Sequence, residues 1–376
     1  MFLAIREMRR AKARFGLLVA AIALLIFLIL FQQALQGGLI TSFVGAVRSQ
    51  SAPVLVFSTD GQRSLQGSVI PPSLENVVRS VDGIDAAGAI GQGTFTVRVS
   101  DADDTSDAAI IGAVDRSLGG IERVDAGRAA EAPGEAVGSA SDFAVGDRVR
   151  IVPVGVAGGT GPELVVVGVV DDAQLQVSPT LFTSWDDYAA AARAANPDAT
   201  AILPNVLGVR PVESVSPDEL ASRVNAASDD ADALTRDAAA DESPGVAQVR
   251  QSFQVIFLLY GMVVPLVTGL FFLIVTFQKS ASLTLLRAVG VDSSALVRSL
   301  LVQVLLVIGA GIALGTLLFT PLSQAEVGSI NLRFDTRTVV LWAVLLLSLG
   351  VISSLVSARR VLRIDPIEAT TGGGGR

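Results

Sequence analysis

The sequence predicts an α-helical membrane protein with four transmembrane helices and one α+β extracytoplasmic domain inserted between the first and second helices. Three observations predict it. Hydrophobic residues make up 51% of the 376 residues and mean hydropathy is +0.57, and the apolar residues crowd at the two ends of the chain. Charge is split the same way: residues 37–250 hold 30 acidic and 14 basic residues, a net −16, and the remainder is net +8. Four apolar stretches, about Phe15–Leu35, Phe253–Phe277, Leu300–Thr320 and Thr338–Ser357, carry no charge in their cores. Crossing about 30 Å of hydrocarbon takes about 20 such residues, and one charge at mid-bilayer costs about 2.5–3.5 kcal/mol on insertion scales.

Taken in order, residues 1–14 set Phe2, Leu3, Ile5 and Met8 against Arg6, Arg9, Arg10 and Lys12. That pattern suits an amphipathic helix in the headgroup layer, or equally a plain positive-inside flank. Residues 15–35 form the first span. Their apolar run exceeds the 7–15 residues typical of a signal peptide and no A-x-A site follows, so a retained anchor is expected. Residues 36–250 form the external domain, 251–277 the second span, 278–298 a cytoplasmic loop and helix, 299–320 the third span, 321–337 a short external loop, 338–357 the fourth span and 358–376 a tail. Basic residues set the orientation. Arg6 to Arg14, Lys279, Arg287 and Arg298, and Arg359, Arg360 and Arg363 fall on one side of four alternating spans. That side is the cytoplasm, with both termini inside.

Within the external domain, PVLVFS (53–58), GTFTVRV (93–99), AAIIGAV (108–114), DRVRIVPV (147–154) and ELVVVGVV (163–170) read as strands. Helices are expected from Pro72, over Trp185–Ala195 with Ser184 as N-cap, and after Ser216, where Pro217 at the first helical position and Glu219 complete a capping box. Asp101, Asp103, Asp104 and Asp107 offer oxygen ligands to calcium, but lack the glycine turn and the bidentate glutamate of an EF-hand. They read as a solvated loop, as do Asp229, Asp230 and Asp232. Asp171-Asp172 reads as a turn, and Gly158–Pro162 as a hairpin loop with no helix behind it to cradle a phosphate.

Composition excludes several activities. The chain has no cysteine and no histidine, so disulfides, thiolate metal sites and a Ser-His-Asp triad are impossible. Lys12 and Lys279 are the only lysines and neither lies in a Walker motif. Hence no catalytic residue, cofactor or resident metal is expected, and any ATP-driven role needs a second polypeptide. An external domain this acidic repels nucleic acid. The spans hold no Asp, Glu, Lys or Arg for a proton relay or ion path.

Four segments carry a resemblance. IREMRRAKARFGLLVAAIAL leads into the first span. VGDRVRI (145–151) is followed by ELVVVGVV. LLRAVGVDSSAL (285–296) lies after the second span, and ARRVLRIDPIEA (358–369) closes the chain. Together with the span layout they resemble the FtsX/MacB-like family of ABC-transporter permeases. The family usually has Glu-Ile-Gly ahead of its Leu-Arg pair, where this chain has Ser282, Leu283 and Thr284.

The resemblance implies a mechanotransmission-type permease subunit in a bacterial plasma membrane. It implies a homo- or heterodimer seated on a separate cytoplasmic ATPase. The implied output is export or extraction of a hydrophobic compound, lipid or peptide. The alternative is an FtsX-like regulator that activates a cell-wall hydrolase, an extracytoplasmic protein partner, through the external domain. The residues support a docking segment on their own terms. Gln278 to Val289 can continue as a helix ended by Gly290. Leu283, Leu286 and Val289 on one face suit a partner's groove, and Arg287 suits a carboxylate there; on the residues alone Arg287 serves the positive-inside bias, and the resemblance favours docking. In the tail, Asp365-Pro366 sets a turn ahead of Glu368. Gly311-x-x-x-Gly315 permits close helix approach, and Pro265, flanked by Gly261 and Gly269, can kink the second span.

Overall fold

The computed structural model describes residues 12–100, 104–153, 161–288, 293–324, 326–327, 330–332 and 336–362. The chain divides into a helical unit, Met1–Gly37 with Ser252–Val327 and Asn331–Arg376, and a sheet unit, Gly38–Gln251 with Gly328–Ile330. Helix α1 (Lys12–Arg48) has residues in both. It runs well past the expected end of the first apolar stretch at Leu35.

The sheet unit holds β1 (Val54–Ser58), α2 (Pro72–Arg79), β2 (Ile84–Val99), β3 (Ser106–Ala113), α3 (Arg116–Gly119), β4 (Ala126–Gly127) and β5 (Glu135–Ser139). It continues with β6 (Arg148–Ile151), β7 (Glu163–Val170), β8 (Thr180–Ser184), α4 (Trp185–Ala195), β9 (Val206–Pro211), α5 (Pro217–Ala227), β10 (Ala231–Thr235) and α6 (Arg236–Asp241). Two substructures share β2. In the first, strands run β10-β1-β9-β2, every neighbour antiparallel. With α2 between β1 and β2, and α5 between β9 and β10, this is the split βαβ arrangement of ferredoxin-like folds. One face is covered by α2 and α5, whose Leu74, Val78, Leu220 and Val224 bury against Val54, Val56, Leu207 and Val209.

In the second, the far half of β2 pairs with β3, β3 with β8, β8 with β5, β5 with β7, β7 with β6, and β6 returns to β2 at Val97–Val99. Six strands thus close into a ring. Its interior is filled by Val97, Ile110, Val149, Ile151, Leu164, Val166 and Leu181, all essentially inaccessible. A ring of this size is a packed core rather than a ligand chamber. Helix α4 packs on it through Tyr188 and Ala191.

The expected strands correspond to β1, the end of β2, β3, β6 and β7. Strand β2 starts earlier than expected because IDAAGAIGQ is mostly Ala and Gly, with Ile84 and Ile90 spaced six apart; its two paired neighbours hold it extended. Strands β5 (EAVGS) and β10 (ADALT) lay outside the expected set for the same reason; β8 (TLFTS) and β9 (VLGVRP) also lay outside it, although they carry Thr, Phe and Val. The helix starts appear where the caps stand. Ser184 Oγ accepts from the Asp187 amide and Ser216 Oγ from the Glu219 amide, each at 3.2 Å. The carboxylate of Glu219 accepts from Arg223 at 2.7 Å, one turn on.

In the helical unit, α7 (Val246–Ala288), α8 (Ser293–Phe319) and α9 (Thr336–Leu362) contain the remaining three apolar stretches. Among the described residues, Phe15–Arg48 and Val297–Phe319 are long and apolar enough to cross a membrane. Phe27 lies edge-on to Phe319, and Phe257 packs on Trp342.

Candidate functional site at the helix–sheet junction

The second face of the ferredoxin-like sheet is covered by the ends of the long helices. In α1, Ile40, Phe43, Val44 and Val47 fall at i, i+3, i+4 and i+7, one apolar stripe. Val44, Ala46 and Val47 bury in one cluster with Leu55 and Phe57 of β1, Ala239 and Ala240 of α6, and Val246 at the start of α7. The tail of α1 and the head of α7 are therefore part of this domain's core.

The loop between β7 and β8 clasps α1. The amide of Val177 donates to Ser42 O and that of Gln176 to Phe43 O, while the Ala46 amide donates to Gln174 O, all at 2.9 Å. In a regular helix those two carbonyls serve the amides four residues on; here three groups of the helix ladder take loop partners. Such close approach needs Gly45, since a Cβ there would lie 1.9 Å from Asp172 O. A buried polar network fixes the loop from behind. Gln174 Nε2 donates to Asp142 at 2.7 Å, Ser139 Oγ donates to the same oxygen at 2.7 Å, and the Leu175 amide donates to Thr180 Oγ1 at 2.9 Å.

Charge ties the two long helices together. Asp241 Oδ1 accepts from Arg48 of α1 at 2.7 Å and from Arg250 of α7 at 3.1 Å. Partial burial works to raise the Asp241 pKa, but the two guanidiniums outweigh it and hold it below the usual carboxylate value. Arg236 donates to Gln50 O and to Glu122, each at 2.6 Å, pinning the end of α1 to α6. Arg63 pairs with Asp232 at 2.8 Å and with Glu242, so Asp232 is an ion-pair partner in β10 rather than part of a solvated loop.

The residues singled out from the sequence are placed as follows. Gly311 and Gly315 of α8 face α1: a Cβ would meet Ile22 Cγ2 at 2.5 Å in the first case and Ala23 O at 2.5 Å in the second. Pro265 lies inside α7, a single helix from Val246 to Ala288. Leu283, Leu286 and Arg287 occupy its last turns at i, i+3 and i+4. Val289, Gly290, Asp365, Pro366 and Glu368, and most of the amphipathic segment 1–14, lie outside the described residues. So do Asp101 and Asp103. Asp107 stands in β3, accepting from Thr96 at 3.0 Å, and no cluster of metal-ligating side chains occurs among the described residues. The junction residues Gly45, Arg48, Asp241 and Arg250 were missed. The stripe from Ile40 to Val47 was the signal for α1; the partners of the charges were not readable.

No family model matches the chain. A putative hemin transport system permease protein HrtB from Staphylococcus epidermidis is 28% identical over 112 residues, 30% of this chain and 32% of that protein. A protein of the same description from Staphylococcus haemolyticus is 30% identical over 111 residues, again 30% and 32%. The chain thus spans about a third of the length of the curated relatives it matches. Among solved structures, the periplasmic region of MacB from Actinobacillus actinomycetemcomitans aligns at 13% identity over 50% of this chain and 91% of that one, with a TM-score of 0.35. The extracellular domain of the ABC-type transporter YknZ aligns at 13% identity over 48% and 99%, with a TM-score of 0.31. The curated relatives are described as permease proteins of a hemin transport system, and this chain, through its LLRAVG and RIDPIEA segments, resembles the FtsX/MacB-like permeases.

Proposed function

We propose that the chain is the membrane subunit of an ABC transporter that works by mechanotransmission. A separate cytoplasmic ATPase drives movement of the sheet unit, which lies outside the cytoplasm. The single observation that carries this reading is the construction of the junction. Helices α1 and α7 each run unbroken from apolar, span-length sequence into the core of the sheet unit. At 1.5 Å per residue, 37 residues of α1 extend about 55 Å and 43 residues of α7 about 65 Å, well beyond a 30 Å hydrocarbon layer. A stiff helix that continues into a domain core moves that core when its other end is pushed.

In this reading the chain crosses the membrane four times, and the end of α7, with Leu283, Leu286 and Arg287, lies in the cytoplasm, where an ATPase can grip it. A second copy or a homologous chain completes the dimer. The absence of Asp, Glu, Lys and Arg from the span cores supports transmission of motion rather than passage of a polar solute between the helices. The cargo is a hydrophobic compound, lipid or peptide taken from the membrane, a class that includes the hemin of the relatives' description.

The test is co-purification of the tagged chain from its native membrane with an ATPase assay. Wild type should bring down an ATPase, and a Leu286→Asp, Arg287→Glu double variant should lose it while the sheet unit stays folded by circular dichroism. If wild type brings down no ATPase, the reading is wrong.

A further inference from the structure

The loop 171–178 is held against its own preferences. Asp172, Gln176 and Val177 all have positive φ, at 57°, 52° and 61°. For a β-branched residue such as Val177 this is an outlier, and a conformation held only by its surroundings. The strained loop meets α1 at the point where the helix gives its own ladder groups to Gln174, Gln176 and Val177. Strain and shared ladder coincide where α1 enters the domain.

We propose that this loop is a spring-loaded latch on α1. In the latched state seen here, Gly45 lets the Asp172 carbonyl sit against the helix, and the loop holds the ring strands β7 and β8, which it joins, in register with α1. A shift or bend of α1 at Ser42–Ala46 breaks the three shared hydrogen bonds, lets Gln176 and Val177 relax, and uncouples the loop from the helix. The loop keeps further anchors when these three bonds break: Gln174 on Asp142, Leu175 on Thr180, and the side chains of Ala173 and Leu175, which bury in the same cluster as Val44 and Leu55. The latch thus sets whether the loop between β7 and β8 follows α1 when the helix moves. It rests on the transmission reading for its consequence and on the geometry alone for its existence.

Amide hydrogen exchange on the purified full chain in lipid nanodiscs, with no ATPase present, tests the latch separately from the permease reading. In wild type, the amides of Ala46, Gln176 and Val177 should exchange together, faster than those of β1 and β9. Gly45→Ala should speed Ala46 and Gln176 by about tenfold or more and leave β1, β9 and β10 unchanged. Val177→Gly keeps the loop but removes the strain, and should slow exchange at Ala46 and Gln176 by about tenfold, the change that about 1.4 kcal/mol of relieved strain produces. The latch is overturned if Gly45→Ala speeds no loop amide or speeds all strands alike. It is equally overturned if Val177→Gly leaves exchange unchanged or faster.

Discussion

Gly315 shows how little a single position tolerates where two helices touch. A Cβ there would already sit 2.5 Å from Ala23 O and 2.8 Å from Ile26 Cβ, so a leucine must push α1 and α8 apart. Gly315→Leu should destabilise the helical unit by about 1–3 kcal/mol, read as a lower unfolding temperature in detergent. Asp241 is the opposite case. Its side chain is 45% exposed and those of Arg48 and Arg250 are 40% and 41% exposed, so solvent screens the pairs. Asp241→Asn should cost less than about 1 kcal/mol. The pH dependence has a definite sign. The Asp241 pKa is depressed in the fold, so its contribution is present above the ordinary carboxylate value and is lost as pH falls through the depressed one. An acid titration of the variant should lack the part of the stability loss that the wild type shows in that range.

Whole elements depend on a few side chains with short-range work. Helices α4 and α5 start at Ser184 and Ser216, whose hydroxyls satisfy amides that no helical carbonyl reaches. Ser184→Ala and Ser216→Ala should each cost about 1 kcal/mol in urea unfolding of the sheet unit. Ser184 should be the more damaging. Its hydroxyl also donates to Asp187 at 2.6 Å, and that carboxylate accepts from the Gly134 amide and Thr183 Oγ1 as well. Glu219→Gln should change stability by less than about 0.5 kcal/mol, because its partner is an exposed arginine at i+4.

Across the whole molecule, the sheet unit is completed by sequence that belongs to the long helices. Val44, Ala46, Val47 and Val246 cover Leu55 and Phe57. A fragment of residues 38–251 should therefore fold cooperatively. A fragment of residues 51–242, cut at the sheet's own edges, uncovers that face and should melt at a lower temperature or bind a hydrophobic dye. Equal stability of the two fragments would show that the helix ends are not part of the core, and would remove the support for transmission through them.

The apolar runs, the charge split and the capping serines determined the helices, the starts of α4 and α5 and the inserted α+β domain, because each is a local property: the cost of a charge in hydrocarbon, or an amide in need of an acceptor three residues away. Strands β1, β6 and β7 were legible from β-branched residues for the same reason. The ferredoxin-like order, the closed ring and the long course of β2 were decided only in the tertiary structure, because pairing partners far apart in sequence hold Ala- and Gly-rich segments extended against their weak local preference. The junction belongs to the second kind. Gly45 and the positive-φ residues of the loop are ordinary in the sequence, and acquire meaning only when residue 172 is brought against residue 45 and Asp241 between two arginines more than 200 residues apart.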